Sequence, residues 1–229
     1  MKRDHPDVIE LPPRGPLPAS PEVIVEVLAP LVTEARLERM KKVIAGRTRS
    51  LIPVLEDLHD PHNGAAILRS ADAFGCHEVH VVEEEYPFFV SHKVSRGTHR
   101  WLELHRHTST QACLSALRER GYEVFVAAMG GTYSVDELAT RPKVAVVFGN
   151  EHRGLSDAVC QAADGTYRVP MIGFVESLNV SVASAITLYV SSRGRHGDID
   201  DADKTEILAR YLLASVRDAE RLVLGRGGE

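Results

Sequence analysis

Residues 51–75 read LIPVLEDLHDPHNGAAILRSADAFG and contain, in order, a strand, a polar loop and a helix. The run 51–58 is rich in β-branched and apolar residues and passes into the polar series EDLHDPHN. The following 64–74 places Ile67, Leu68, Ala71 and Phe74 on one helical face. The same unit recurs downstream. Strands are expected at 79–82, near 102–104, and at 123–128, 144–148 and 167–169, with helices at 110–120, 151–163 and 177–192 and an amphipathic helix at 203–224. The run VAVVF at 144–148 is apolar throughout, the pattern of a strand buried on both faces of a parallel sheet. Strands alternating with helices predict an α/β fold with a mostly parallel sheet, which binds ligands outside the carboxyl ends of its strands.

The 229 residues include 44% hydrophobic and 26% charged side chains, ordinary for a globular chain and too apolar for wholesale disorder. Lys and Arg number 27 against 32 acidic residues, so the formal charge is -5 and the overall basicity of a simple nucleic-acid-binding module is missing. The charges are, however, segregated. Between residues 31 and 50, Arg36, Arg39, Lys41, Lys42, Arg47 and Arg49 face only Glu34 and Glu38, whereas acidic residues gather at 83–85 and 198–206. Such a basic run is either a solvated helix face or a phosphate-contacting arm.

Cys76, Cys113 and Cys160 are widely spaced and form no C-x-x-C pair, which points to a reducing cytoplasm and indicates neither a disulfide framework nor a zinc site. The prolines of residues 1–20 predict a disordered tail without the apolar core of a signal peptide. Residues 21–50 form a basic helical extension, broken near Pro30; 51–195 form the main domain; 196–229 form an acidic linker and the amphipathic helix. The twenty residues 171–190 could span a bilayer by length, but Glu176, Asn179 and three serines assign them to a buried or interfacial helix, with no membrane role.

Three segments at strand ends carry more polar and glycine residues than packing needs. In the first, Asn63 suits a helix N-cap and Arg69 an exposed helical position, so neither is informative alone. In the second, VAVVFGNEHRGLS, glycine after a buried strand either permits close approach of a ligand or makes an ordinary turn. In the third, RVPMIGFVESLNVSVASAITLY, Pro170, Gly173, Ser177 and Asn179 lie among apolar residues, as in a loop gripping a flat heterocycle or a turn into a core helix. The chain has no G-x-G-x-x-G, no phosphate loop, no G-x-S-x-G and no H-E-x-x-H. His59, His62, His92, His99, His105 and His107 accordingly read as surface or hydrogen-bonded structural histidines.

Taken together the three segments resemble the motifs of the SpoU branch of the SPOUT RNA methyltransferases. The pattern N-x5-R-x5-G is met by Asn63, Arg69 and Gly75. The strand followed by F-G-x-E-x-x-G-[LIV]-S is met by Phe148, Gly149, Glu151, Gly154, Leu155 and Ser156. The pattern [IV]-P-M-x-G-x-x-x-S-L-N-V-S-V-A is met from Val169 to Ala183. Within that family, residues 33–195 look like the enzymes that methylate the 2'-hydroxyl of guanosine-18 in the D-loop of tRNA; the basic TEARLERMKKV helix, PHN, GTHRW and SSRGR are the cues. The resemblance implies a SPOUT-type, mostly parallel sheet flanked by helices, with a C-terminal trefoil knot and helical extensions at both ends. It also implies a homodimer, S-adenosyl-L-methionine as methyl donor, a tRNA substrate and no metal. Ribosomal RNA, another tRNA position, or a non-catalytic RNA-binding protein on the same fold are the alternatives.

Carried over position by position, the resemblance assigns the donor pocket to Ala127, Gly149, Val169, Met171 and Leu178. Ala127 stands where similar enzymes often have Thr and brings no side-chain hydrogen bond. Arg69 takes the catalytic place, arranged with Asn63, Glu151, Ser177 and Asn179. RNA falls to Arg36, Arg39, Lys41 and Lys42 of the basic helix, to Arg96 and Arg100 of the SRGTHR loop, and to Arg193 and Arg195. Two roles stay open for Arg69: a base deprotonated in a special environment, or a charged group that grips the adjacent phosphate while that phosphate or water takes the proton.

Overall fold

A computed structural model describes residues 7–11, 15–195 and 197–226. In chain order the elements are β1 (Val8–Glu10), α1 (Pro21–Leu28), α2 (Glu34–Ala45), β2 (Leu51–Glu56), α3 (Pro61–Ala73), β3 (Glu78–Val82) and β4 (Phe89–Ser91). They continue with α4 (His92–Ser95), β5 (Glu103–His107), α5 (Thr110–Glu119), β6 (Glu123–Ala127), β7 (Tyr133–Ser134), β8 (Val144–Phe148), α6 (Asp157–Ala162) and β9 (Gly165–Arg168). The last three are α7 (Val180–Ser191), α8 (Asp201–Leu213) and α9 (Ala219–Arg226).

The chain divides into two compact units, residues 1–13 with 49–195, and residues 14–48 with 196–229. In the first, seven strands form one parallel sheet in the order β5-β3-β2-β8-β6-β9-β7. Strand alternation sends Leu51 and Leu55 of β2 into one core with Ile67 and Leu68 of α3, and Ile52 and Val54 into another with Cys113, Leu114 and Leu117 of α5. The expected α/β class and apolar central strand follow from this two-sided burial. Pro53, which has no amide proton, is accommodated in the central strand β2, whose ladder with β3 begins only at Val54.

In the second unit α1 and α2 both pack against α8. Arg47, counted with the basic run, is buried there and donates through Nε and Nη2 to the Tyr211 hydroxyl at 3.3 and 3.2 Å, so it is a packing residue and not part of a solvated face.

Several sequence expectations shift. Within the supposed tail, Val8–Glu10 pairs antiparallel with β4. The helix placed at 151–163 is confined to Asp157–Ala162, because an Asn150–Gly154 bridge occupies the preceding residues and Ser156 caps the helix by accepting the Val159 amide at 3.2 Å. The final helix is two, α8 and α9, interrupted before Asp218, whose φ of 55° is left-handed. No helix among the described residues is long and apolar enough to cross a membrane.

Candidate active site

The carboxyl ends of β2 and β8 are neighbours in the sheet, so the segments leaving them meet. After β2, Asp60 caps α3 by accepting the His62 amide at 2.8 Å, with Pro61 pre-shaped for the first helical position. The cap is therefore Asp60 and not Asn63, whose buried side chain is free for another use. Asn63 Nδ2 donates to Glu151 Oε1 at 3.0 Å, and the same carboxylate accepts the backbone amides of His59, at 2.9 Å, and Asp60, at 3.1 Å. Asn179 caps α7, its Oδ1 accepting the Ser181 amide at 2.8 Å, while its Nδ2 donates to Asn63 Oδ1 at 3.2 Å. A chain Asn179–Asn63–Glu151 thus ties three strand ends together. Burial pushes the Glu151 carboxyl up, but the donors from His59, Asn63 and Asp60 outweigh it and hold the group below its usual range, as a carboxylate.

Glu151 is presented by a tight loop. Asn150 and Gly154 exchange backbone hydrogen bonds of 2.9 and 2.8 Å, with Gly154 at a φ of 73°. A Cβ on Gly149 would lie 2.5 Å from the Gly154 carbonyl oxygen, so only glycine fits there. Asn150 fastens the loop: Nδ2 donates to the Asp57 carbonyl at 2.7 Å, and Oδ1 accepts the His152 and Arg153 amides at 2.9 and 3.2 Å. Glu56 accepts both the amide and the hydroxyl of Ser156, at 3.0 and 2.6 Å. Sequence reasoning passed over Asn150 and Glu56. An Asn directly after a strand-ending glycine is a turn signal that could have marked the first; nothing local marks the second.

Beside this corner a cleft of about 210 Å³ is bounded by Ala127, Ala128 and Met129 at and beyond the end of β6, by Tyr167, Val169 and Met171 around β9, and by Glu176, Ser177, Leu178 and Ala183. Four residues expected to hold the donor, Ala127, Val169, Met171 and Leu178, thus converge on one hollow together with Ser177; Gly149 is not among its walls. A larger hollow of about 350 Å³ contains Glu56, Asp57, Glu84, Glu85 and Asp157 with Arg153 as the one basic residue among the described ones, a lining that repels phosphate.

Arg69 projects from α3 at an exposed position and donates to the Val94 carbonyl at 3.3 Å, apart from the Glu151 hydrogen bonds. Arg36, Arg39, Lys41, Lys42, Arg96, Arg100 and Arg193 are exposed. Lys41 pairs with Glu38 at 2.9 Å, and Arg193 with Asp136 at 3.4 Å. Arg195 departs from the expected RNA surface. It is 9% exposed and donates to the carbonyls of Ser191, Ser50, Pro142, Leu138 and Arg141, closing the ends of several segments. A guanidinium satisfied by five carbonyls has no donors left to offer a phosphate, and Arg195 is a structural residue.

Known proteins resemble this chain over the same region. Residues 50–189 match the SpoU rRNA Methylase family. A tRNA (guanosine(18)-2'-O)-methyltransferase of Thermus thermophilus is 38% identical over 164 residues, 71% of this chain and 84% of the relative. The crystal structure of an A. aeolicus TrmH/SpoU tRNA modifying enzyme superposes with a TM-score of 0.72 at 27% identity, over 81% of this chain and 98% of the other. The SpoU methyltransferase AviRb of Streptomyces viridochromogenes, in complex with the cofactor AdoMet, gives a TM-score of 0.55 at 27% identity, over 66% and 60% of the two chains. Because the matched region spans more than half the chain and holds both the Glu151 corner and the cleft, the chain belongs to the SpoU rRNA Methylase family.

Proposed function

We propose that this chain transfers the methyl group of S-adenosyl-L-methionine to the 2'-hydroxyl of guanosine-18 in the D-loop of tRNA. The observation that carries the reading is the cleft of Ala127, Val169, Met171 and Leu178 set against the hydrogen-bonded Asn63, Glu151 and Asn179. The likeness to the Thermus thermophilus enzyme supports the substrate, and the AdoMet-bound AviRb structure supports the donor.

The cleft suits that donor. Exposed strand ends and apolar walls fit a flat heterocycle, and the carboxylate of Glu176 complements a cation. S-adenosyl-L-methionine supplies an activated methyl on a sulfonium centre, so no covalent nucleophile is needed. The residues of the chain then have to align the ribose hydroxyl, exclude water and let its proton leave. Ser177 stands at the cleft wall to meet the ribose, and Asn179, fixed by Asn63, keeps the loop before α7 in place. A guanidinium in a protein keeps its proton, so Arg69 acts by gripping the phosphate next to the methylated ribose, and that phosphate or water takes the hydroxyl proton.

Arg36, Arg39, Lys41, Lys42, Arg96, Arg100 and Arg193 hold the tRNA backbone, which explains how a chain of charge -5 can bind a polyanion. Homodimer formation belongs to the same reading and is supported by exposed apolar side chains at Ile172, Phe174, Val175, Val182 and Tyr189, the first two wholly uncovered. So do a C-terminal trefoil knot, helical extensions over 21–50 and 196–229, and a cytoplasmic setting, to which the free Cys76, Cys113 and Cys160 are suited.

The test is labelled methyl transfer to an unmodified tRNA transcript, with nucleoside digestion and mapping. A 2'-O-methylguanosine confined to the D-loop is expected. Retention of the donor without incorporation into tRNA would transfer the substrate to ribosomal or other RNA.

A further inference from the structure

Apart from the corner and the cleft, the β3–β5 edge of the sheet gathers an unusual set of ligand-type side chains. Parallel register pairs His80 with His105 and Val82 with His107, so His80, His105 and His107 stand on one face of two adjacent strands. Helix α5 begins three residues after β5 and delivers Cys113 to the same place. His80 Nδ1 and His107 Nε2 are 3.0 Å apart, and Cys113 Sγ lies 3.9 Å from His80 Nδ1. All three atoms fall within 4.8 Å of one another. We propose that His80 Nδ1, His107 Nε2 and Cys113 Sγ bind one divalent transition-metal ion of the zinc type, at a site separate from methyl transfer.

The distances suit such an ion. Zinc bonds of about 2.0–2.1 Å to nitrogen and 2.3 Å to sulfur, arranged tetrahedrally, separate two nitrogens by roughly 3.3 Å and nitrogen from sulfur by roughly 3.6 Å. The two distances from His80 lie within a few tenths of an ångström of these values, and the His107–Cys113 pair, within 4.8 Å, closes to its own by side-chain rotation, which leaves a fourth position for water. Two imidazoles and a thiol also form the borderline-soft donor set that zinc selects over magnesium or calcium.

The ligands are in the right protonation state or reach it on binding. Burial pushes the His80 imidazolium down, and burial with the neighbouring histidines takes His107 down to about 4, so both rings are neutral and carry a lone pair. The hydrogen now shared between His80 Nδ1 and His107 Nε2 moves to the other nitrogen of the ring that carries it. The Cys113 thiol, raised to about 12 by burial and by Glu56, gives up its proton to solvent as the metal–sulfur bond forms. His80 is 2% exposed, and its other nitrogen, Nε2, has no hydrogen-bond partner among the described residues; it faces Glu78 Oε2 at 3.8 Å. Coordination through Nδ1 fixes the remaining proton on Nε2, toward that carboxylate, the outer-shell arrangement usual for metal-bound histidine. The ion would join β3, edge strand β5 and α5, which explains why no short motif announces it: the ligands come from three elements.

The test uses the untagged full chain, stripped with a chelator and titrated with Co2+. One equivalent is expected, with the visible bands of a tetrahedral site and a thiolate-to-metal charge-transfer band, and Zn2+ should displace it and raise the melting temperature. Cys113→Ser should abolish the charge-transfer band, and His107→Gln should weaken binding by roughly tenfold or more. Cys160→Ser, which alters the exposed cysteine, should change neither. Circular dichroism verifies that each variant folds; if Cys113→Ser does not, His107→Gln and the wild-type stoichiometry decide. Native mass spectra without a bound ion in the presence of Zn2+, or a charge-transfer band that survives Cys113→Ser or is lost in Cys160→Ser, would overturn the site.

Discussion

Glu151 is held by three donors and Asn63 and Asn179 are held by each other, whereas the neighbouring cleft is bounded mainly by apolar side chains and strand ends. The lip of the cleft, with Met171, Ile172, Phe174 and Val175, is exposed. Hydrogen bonds within the chain close the corner, whereas the cleft stays open. Hydrogen-bonded polar groups are costly to disturb, so in the proposed reading the corner is the fixed reference against which the more open pocket and a bound ribose would be positioned.

The largest effect is expected from Arg69→Ala, which touches neither the corner's hydrogen bonds nor the cleft's walls. Methyl transfer should fall by roughly 10²–10³-fold, the usual cost of losing one well-placed charged contact, while donor binding measured by calorimetry stays near wild type. Equal loss of donor affinity would mean that Arg69 serves the cleft rather than the phosphate beside the ribose. Next in size is Arg195→Ala, which strips its donors from five backbone carbonyls. It should lower stability by about 3 kcal/mol in urea titrations, an effect that a surface RNA contact would not have.

Glu151→Gln turns an amide toward donors that need an acceptor and should cost about 1–3 kcal/mol in the same measurement. Because the folded carboxyl lies below its ordinary value of 4.5, its contribution is complete above that pH and is lost as pH falls further. The stability gap between wild type and Glu151→Gln should therefore close in acid; a gap unchanged down to strongly acidic pH would show that the charge is not what the corner uses. The smallest effect belongs to Arg193→Ala. It should weaken tRNA binding by roughly two- to fivefold and reduce its salt dependence, with donor affinity and melting temperature unchanged.

Arg193 and Arg195 also show where reading the sequence stops. Both stand in one SSRGR segment, and nothing local separates an exposed arginine that pairs with Asp136 from one enclosed by five carbonyls. The alternative left open for Asn63 is of the same kind. The residue types at 60–63 allow either Asp60 or Asn63 to cap the helix, and the carboxylate of Glu151, 88 residues away, decides that Asn63 is needed elsewhere. The helix expected over 151–163 was shortened for a similar reason, since the Asn150–Gly154 bridge withdraws the backbone groups that a longer helix would have used.

By itself the sequence determined the α/β class and the buried strand 144–148, because hydrophobic period and turn chemistry are properties of neighbours along the chain; three motifs stand in order within it, and the resemblance they carry implied four of the residues that line the cleft. Tertiary structure alone decided that Arg195 is internal, that Asn150 and Glu56 brace the loop carrying Glu151, and that His80, His107 and Cys113 meet. Each of those depends on pairing partners far apart in sequence, and such contacts are fixed by sheet register and packing, which no local window contains.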